Sequence, residues 1–191
     1  EYSTQDMPKT KKKDHRKDID FEKQLWSAAD KLRGNIDASE YKHVVLGLLF
    51  LKYISDSFIQ HRVHLAAMVS DPNTDYYTED EKIKKKIINN KDEYKGEGIF
   101  FVPEKARWSH LQDHASQIDI GKIIDQAMEL IEKENPKQLK GVLPKIYTKI
   151  ELEPGVLGEL VNLFSKLQFD HDLDKEKDIL GRVYEYFLGE F

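Results

Sequence analysis

From Val44 to Leu51 every residue except Gly47 is apolar, and that run constrains the fold more than any other stretch. A helix apolar on all sides has no face to offer water, so it must be surrounded by protein or lipid. Eight residues fall far short of the ~20 that cross a bilayer, which leaves protein. The flanking signals are helical. Gly34-Asn35 is a pair that tolerates positive φ and closes a preceding helix. Asp37 then offers a side-chain cap, Glu40 stands where a capping box needs it, and Ile36 and Tyr41 have the spacing of a hydrophobic staple. The pattern predicts one central helix continuing through Phe58 and Ile59 to Met68 or Val69. Asp71-Pro72-Asn73 stops it, because the residue before a proline resists the α region.

The other elements fall around this helix. Phe21, Leu25, Ala28, Ala29 and Leu32 have helical spacing over residues 20–33. Thr78-Glu79-Asp80-Glu81 places acids at the positive end of a helix that would carry Lys84-Lys85-Lys86 and Ile87-Ile88. Gly96-Glu97-Gly98 closes that segment. Ile99-Phe100-Phe101-Val102 is rich in β-formers and stops at Pro103, as a short strand or extended segment would; one strand alone cannot make a sheet. A short helix is expected from Trp108 to about Gln117. Another carries Ile120, Ile123, Ile124, Ala127, Met128 and Ile131 and ends before Asn135-Pro136. Leu139, Val142 and Leu143 form a small apolar cluster. Pro154 suits the first turn of a helix whose buried stripe is Val156, Leu157, Leu160, Val161, Phe164 and Leu167. A last helix carries Ile179, Leu180, Val183, Tyr184, Phe187 and Leu188. There is no internal repeat. The class is all-α: a compact helical domain around one buried central helix, with at most one short strand or hairpin.

Charge divides the chain unevenly. Residues 1–17 hold six Lys or Arg against three Asp or Glu, a balance of +3, while residues 18–191 hold 24 against 32, a balance of −8. The first segment, with Lys11-Lys12-Lys13 and no apolar periodicity, reads as a flexible basic tail. Met7 suits a native start, with residues 1–6 an upstream extension. Residues 18–191 are long enough to bury roughly 70% of their unfolded surface in one domain. An acidic body does not bind DNA non-specifically over its whole surface, since such affinity comes from neutralising phosphates with cations. Local basic patches remain open: the tail lysines, Lys42, and Lys84–Lys86. The bland reading of each is a solvated surface. The chain has no cysteine, hence no disulfide, thiol nucleophile or thiolate metal site. With no secretory h-region and no long apolar span, the cytoplasm is the default and no membrane partner is expected.

The chemistry-bearing patterns are sparse. Gly96-Glu97-Gly98 is followed by Phe101 where a third glycine would complete a dinucleotide-type loop. There is no phosphate-binding loop and no zinc-protease motif. His61 with His64, and His110 with His114 beside Asp113, are spaced to share a helix face, but a metal site needs a third ligand that the sequence does not supply. Asp56, Asp113 and Asp125 read as solvated carboxylates rather than acid–base groups. Trp26, Trp108, Tyr53, Tyr184 and Tyr186 are either base-stacking platforms or core, and their spacing with Leu and Ile favours core. No catalytic, cofactor-binding or metal residue is assigned.

Four blocks, in order, carry a resemblance. They are Leu32-Arg33-Gly34-Asn35 through Tyr53-Ile54-Ser55-Asp56; Phe101-Val102-Pro103-Glu104 with Ala106-Arg107-Trp108; Asn135-Pro136 to Leu143-Pro144; and Asp178 through Leu188. Together they are similar to the N-terminal region of the modification (M) subunit, HsdM, of type I restriction–modification systems. The resemblance implies a helical N-terminal domain of a DNA adenine methyltransferase, ending just before the methyltransferase domain that binds S-adenosylmethionine. Neither Asn135-Pro136-Lys137 nor Asp71-Pro72-Asn73 matches the Asn/Asp-Pro-Pro-Tyr/Phe of adenine methyltransferases, so this stretch by itself is expected to be non-catalytic. The implied partners are a specificity (S) subunit, a second M subunit, a restriction (R) subunit and double-stranded DNA. The implied role is to help close a clamp around duplex from which the target base is extruded. Lys11, Lys12, Lys13, Lys42, Lys84, Lys85 and Lys86 are the candidate phosphate contacts. Two readings of other classes stand beside this one, a free-standing helical adaptor for proteins and a metal-dependent hydrolase built on the histidine pairs.

Overall fold

Helix α1 runs from Ala38 to Ser70, 33 residues and ~50 Å of continuous axis, through the middle of the molecule. In the computed structural model, residues 36–167 are described, together with Lys23, Ser27, Asp30 and Leu32. Those four are helical, as expected over residues 20–33, and Leu32 is buried. The basic tail and the last expected helix lie outside the described residues.

After α1 come α2 (Glu81–Ile88), α3 (Asp92–Lys95), a 3-10 turn (Glu104–Ala106), α4 (Trp108–Asp113), α5 (Ile120–Glu134), α6 (Pro136–Leu139) and α7 (Val156–Phe164). No strand occurs among the described residues, and the class is all-α. No helix among them is both long and apolar enough to cross a membrane.

The apolar run behaves as its composition requires. Val44, Val45, Leu46, Leu48, Leu49 and Leu51 are buried and Phe50 is partly so, because α4, α5, α7 and the loop after α6 surround the first half of α1. Gly47 is the notch in this run. A Cβ there would strike the Tyr147 hydroxyl and come within 2.8 Å of Pro144 Cγ. Tyr147 is fully buried and its O–H donates to the Val44 carbonyl at 2.7 Å. Gly121 on α5 admits the backbone of the same tyrosine. Two glycines thus seat one aromatic ring between α1 and α5. Burial first, and Asp125 second, hold the phenol well above its ordinary pKa, so it stays a proton donor.

Asp125 explains why Tyr147 arrives there. Its carboxylate accepts the Tyr147 and Thr148 N–H groups at 3.0 and 2.9 Å and the Thr148 hydroxyl at 2.6 Å. It is a loop anchor, not a solvated bystander. Trp108 ties three more elements together. Its backbone N–H donates to Ser55 Oγ at 2.7 Å, and its indole N–H donates to Ser165 Oγ at 2.8 Å.

Segment 99–102 is held without a strand partner. The Asn135 side chain accepts the Phe101 N–H at 3.2 Å and donates to the Phe101 carbonyl at 3.0 Å and to Ile131 O at 2.8 Å. One buried amide makes the two bonds a neighbouring strand would make. The β-forming composition of 99–102 therefore leads to a pinned extended segment rather than a ladder.

Three local expectations differ from the structure. Asp37 does precede α1 but makes no side-chain cap bond; its backbone carbonyl accepts the Glu40 and Tyr41 N–H groups instead. The capping signal belongs to Asp80, whose carboxylate accepts Lys82 N–H at 2.9 Å. Pro154 lies two residues ahead of α7, because Gly155 at φ 87° takes the N-cap position. Val142, grouped with Leu139 and Leu143, is 62% exposed while those two are buried.

Candidate nucleic-acid interface

The second half of α1 has a different setting. Thr78 N–H donates to Val69 O, and α2 packs back against this end of α1. The lysine triplet lies on α2, where Lys85 and Lys86 are exposed and Lys84, partly buried, pairs with Glu81 at 3.2 Å. Lys42 is on α1, partly buried and already engaged. Twenty residues separate it from Arg62, ~30 Å along the helix and roughly 200° around it. The structure therefore brings Lys84–Lys86 together and leaves Lys42 on a separate surface. Lys11, Lys12 and Lys13 lie outside the described residues.

Two arginines join the lysine end. Arg62 Nη1 donates to Asn89 Oδ1 at 2.9 Å and to Ile88 O at 3.3 Å, which places its guanidinium at the carboxyl end of α2. The Tyr94 hydroxyl serves the same Ile88 carbonyl at 2.6 Å. Arg107 stacks its guanidinium 5.0 Å from the Phe58 ring centroid and donates through Nε to Val102 O at 3.3 Å. Phe58 and Arg62 are one turn apart on α1, so both guanidinium groups lie along one face. Burial, then the charge of Arg62, pull Arg107 below its ordinary pKa, while Glu104 and Tyr94 act the other way. Sequence reasoning did not single out Arg62, and met Arg107 only within a resembling block. The signal that finds them is tertiary: two residues 45 apart in sequence flank the same Phe58–Tyr94 stack, which no local pattern carries.

Beneath the arginines is an aromatic cluster. Phe58 stacks on Tyr94 at 4.7 Å, and Phe101 meets both edge-on at 5.2 and 5.4 Å. His61 packs edge-on against Tyr94 at 5.2 Å and bonds Glu93 O at 2.9 Å. These contacts give His61 a structural role at the α1–α3 junction, while His64 is exposed.

The second histidine pair sits elsewhere. His110 and His114 have ring centroids 4.2 Å apart, and His114 Nδ1 lies 2.7 Å from His110 O. His110 borders a pocket of about 350 Å³ shared with Lys105, Ile123, Glu129 and Lys133. Desolvation first, then the charges of His114 and Lys105, lower its pKa. No group of three or more His, Cys, Asp or Glu is placed to hold a metal ion among the described residues. Asp113 is exposed. Asp56 instead receives Lys52 Nζ at 2.7 and 2.8 Å, and Lys52, itself buried, lies 5.9 Å from the Trp108 ring centroid. Like Asp125, Asp56 is a structural carboxylate. Trp108 is buried and Tyr53 packs against the core, so neither offers a stacking platform; Trp26, Tyr184 and Tyr186 lie outside the described residues.

Comparison with known proteins gives this geometry a context. The chain is 41% identical over 172 residues to the type I restriction enzyme MjaIX methylase subunit of Methanocaldococcus jannaschii, covering 90% of the chain and 31% of that protein. It is 37% identical over 110 residues to the HindI methylase subunit of Haemophilus influenzae, covering 47% of the chain and 24% of that protein. The MpnII methylase subunit of Mycoplasma pneumoniae is 22% identical over 192 aligned positions, covering 89% and 34%. The chain thus spans about a third or less of each relative. The family model of the HsdM N-terminal domain matches residues 21–164, and the chain belongs to that family.

Proposed function

We propose that this chain is the N-terminal helical domain of a type I restriction–modification M subunit, and that it holds duplex DNA while adenine is methylated elsewhere in the same protein. The observation that carries the reading is the family match over residues 21–164, together with a lysine-bearing helix presented at one end of the domain. The methyl donor, S-adenosylmethionine, would be bound by the following domain. This chain's contribution is binding and positioning. The S subunit, a second M subunit and the R subunit are its proposed partners in a cytoplasmic complex. Lys84, Lys85 and Lys86 are proposed to meet the DNA backbone, with Lys11–Lys13 as an arm and Lys42 as a separate contact.

Phosphate contacts have a characteristic readout, because each releases counterions and steepens the salt dependence of binding by ~0.9 in log–log slope. Replacing Lys84, Lys85 and Lys86 by glutamine in the full methyltransferase should flatten that slope by about 1 to 2 for one or two contacts. An unchanged slope removes the helix from the interface and favours a domain that contacts proteins only.

A further inference from the structure

We infer that Arg62 and Arg107 form a paired guanidinium site for a single backbone phosphate of the duplex. This inference deepens the DNA-holding reading and rests on it. Each guanidinium carries five N–H donors in a planar fork suited to an oxyanion. Arg62 engages Nη1 with Ile88 O and Asn89 Oδ1, and Arg107 engages Nε with Val102 O; the remaining donors of both have no partner among the described residues. Neither forms an ion pair with a carboxylate among the described residues. Both flank the Phe58–Tyr94 stack, Arg107 over Phe58 and Arg62 on the Ile88 carbonyl that also takes the Tyr94 hydroxyl, and two partly buried like charges on one stack are unfavourable until an anion joins them.

The pair is also held in place before any anion arrives. Phe58 supports Arg107 from below at 5.0 Å, and the end of α2 fixes Arg62. Pre-fixed side chains lose less entropy on binding. The neighbours point to a phosphodiester rather than a lone carboxylate. Arg62 sits at the end of α2, one turn from exposed Lys85 and Lys86. A run of cations matches a strand bearing a phosphate every ~3.4 Å better than it matches one acidic side chain.

The test uses the full methyltransferase assembled with its S subunit and a duplex carrying the recognised site. Arg62→Gln and Arg107→Gln are each expected to weaken binding about tenfold and to reduce the log–log salt slope, by about 1 for the two together because they share a single phosphate. Arg107→Lys keeps the charge, so the slope should return toward wild type even though the fork is lost. If Arg107→Gln perturbs folding, Arg62→Gln alone still decides, since the bonds of Arg62 among the described residues are to the end of α2. A lower melting temperature with an unchanged slope would overturn the inference and leave the arginines as packing groups. Weakened subunit assembly with an unchanged slope would overturn it in favour of a protein carboxylate. The Lys84–Lys86 glutamine variant separates the two levels. If that variant flattens the slope and the arginine variants do not, only the pair is wrong; if none does, the DNA-holding role of this domain falls with it.

Discussion

The two halves of α1 share one backbone and one unbroken hydrogen-bond ladder, yet they live in different environments. From Val44 to Phe58 the helix has no exposed residue, and Leu48, Leu49 and Leu51 are at or near zero exposure. From Ile59 to Ser70 only Leu65 and Val69 are buried, and Val63, His64, Ala66 and Ala67 face outward. The first half is sealed by loops and helices that come from about 100 residues away, as the Tyr147–Val44 bond illustrates. The second is braced by the next two elements along the chain, α2 and α3. The lesson is a division of labour along one rod: one end is enclosed in the core, and the other, buried at Leu65 and Val69, presents charge.

That contrast can be broken at several points. The largest effect is expected from truncating equivalent apolar residues at the two ends. Leu49→Ala should cost about 2–5 kcal/mol in chemical denaturation, because it leaves a cavity in a closed core. Val63→Ala should stay within about 0.5 kcal/mol. Equal losses would show that the outer half is as much core as the inner. Next is Asn135→Ala. It removes both bonds to Phe101 and leaves a buried N–H and C=O unmatched, at about 1–3 kcal/mol. Differential amide exchange should localise the loosening to residues 99–102, and uniform loosening would deny Asn135 its clasp role.

The smallest effect concerns pH. His110 has a folded-state pKa below its ordinary 6.5, so the unfolded chain binds a proton more readily. Stability should be level above 6.5 and decline as pH falls from 6.5 toward the lowered value. Glu132, held below its ordinary 4.5 chiefly by Lys145, adds a second decline only under more acidic conditions. His110→Asn should remove the first decline and keep the second. A persistent first decline would assign it to another group.

The inner half of α1 was legible in the sequence because uninterrupted apolarity admits only one environment. Its end at Ser70 was legible for a similarly local reason, the Asp71-Pro72 break. Gly47 was visible as an exception but not as a seat, since the ring that fills it comes from position 147. The clasp made by Asn135 was not legible, because its bond to Phe101 spans 34 residues. Asp56 and Asp125 read as solvated for the same reason: a carboxylate on an amphipathic pattern carries no mark of the lysine or loop it will anchor. The lysine triplet was legible as a charged helix. The arginines beside it were not, because their pairing is made by tertiary packing of α1 against the turn that carries Arg107.

The Tyr147 seat limits how the central helix can move. A slip of one residue advances a helix 1.5 Å and turns it ~100°, which would bring Leu46 or Leu48 against the phenol in place of Gly47. Axial sliding is blocked as a key's wards block the wrong lock.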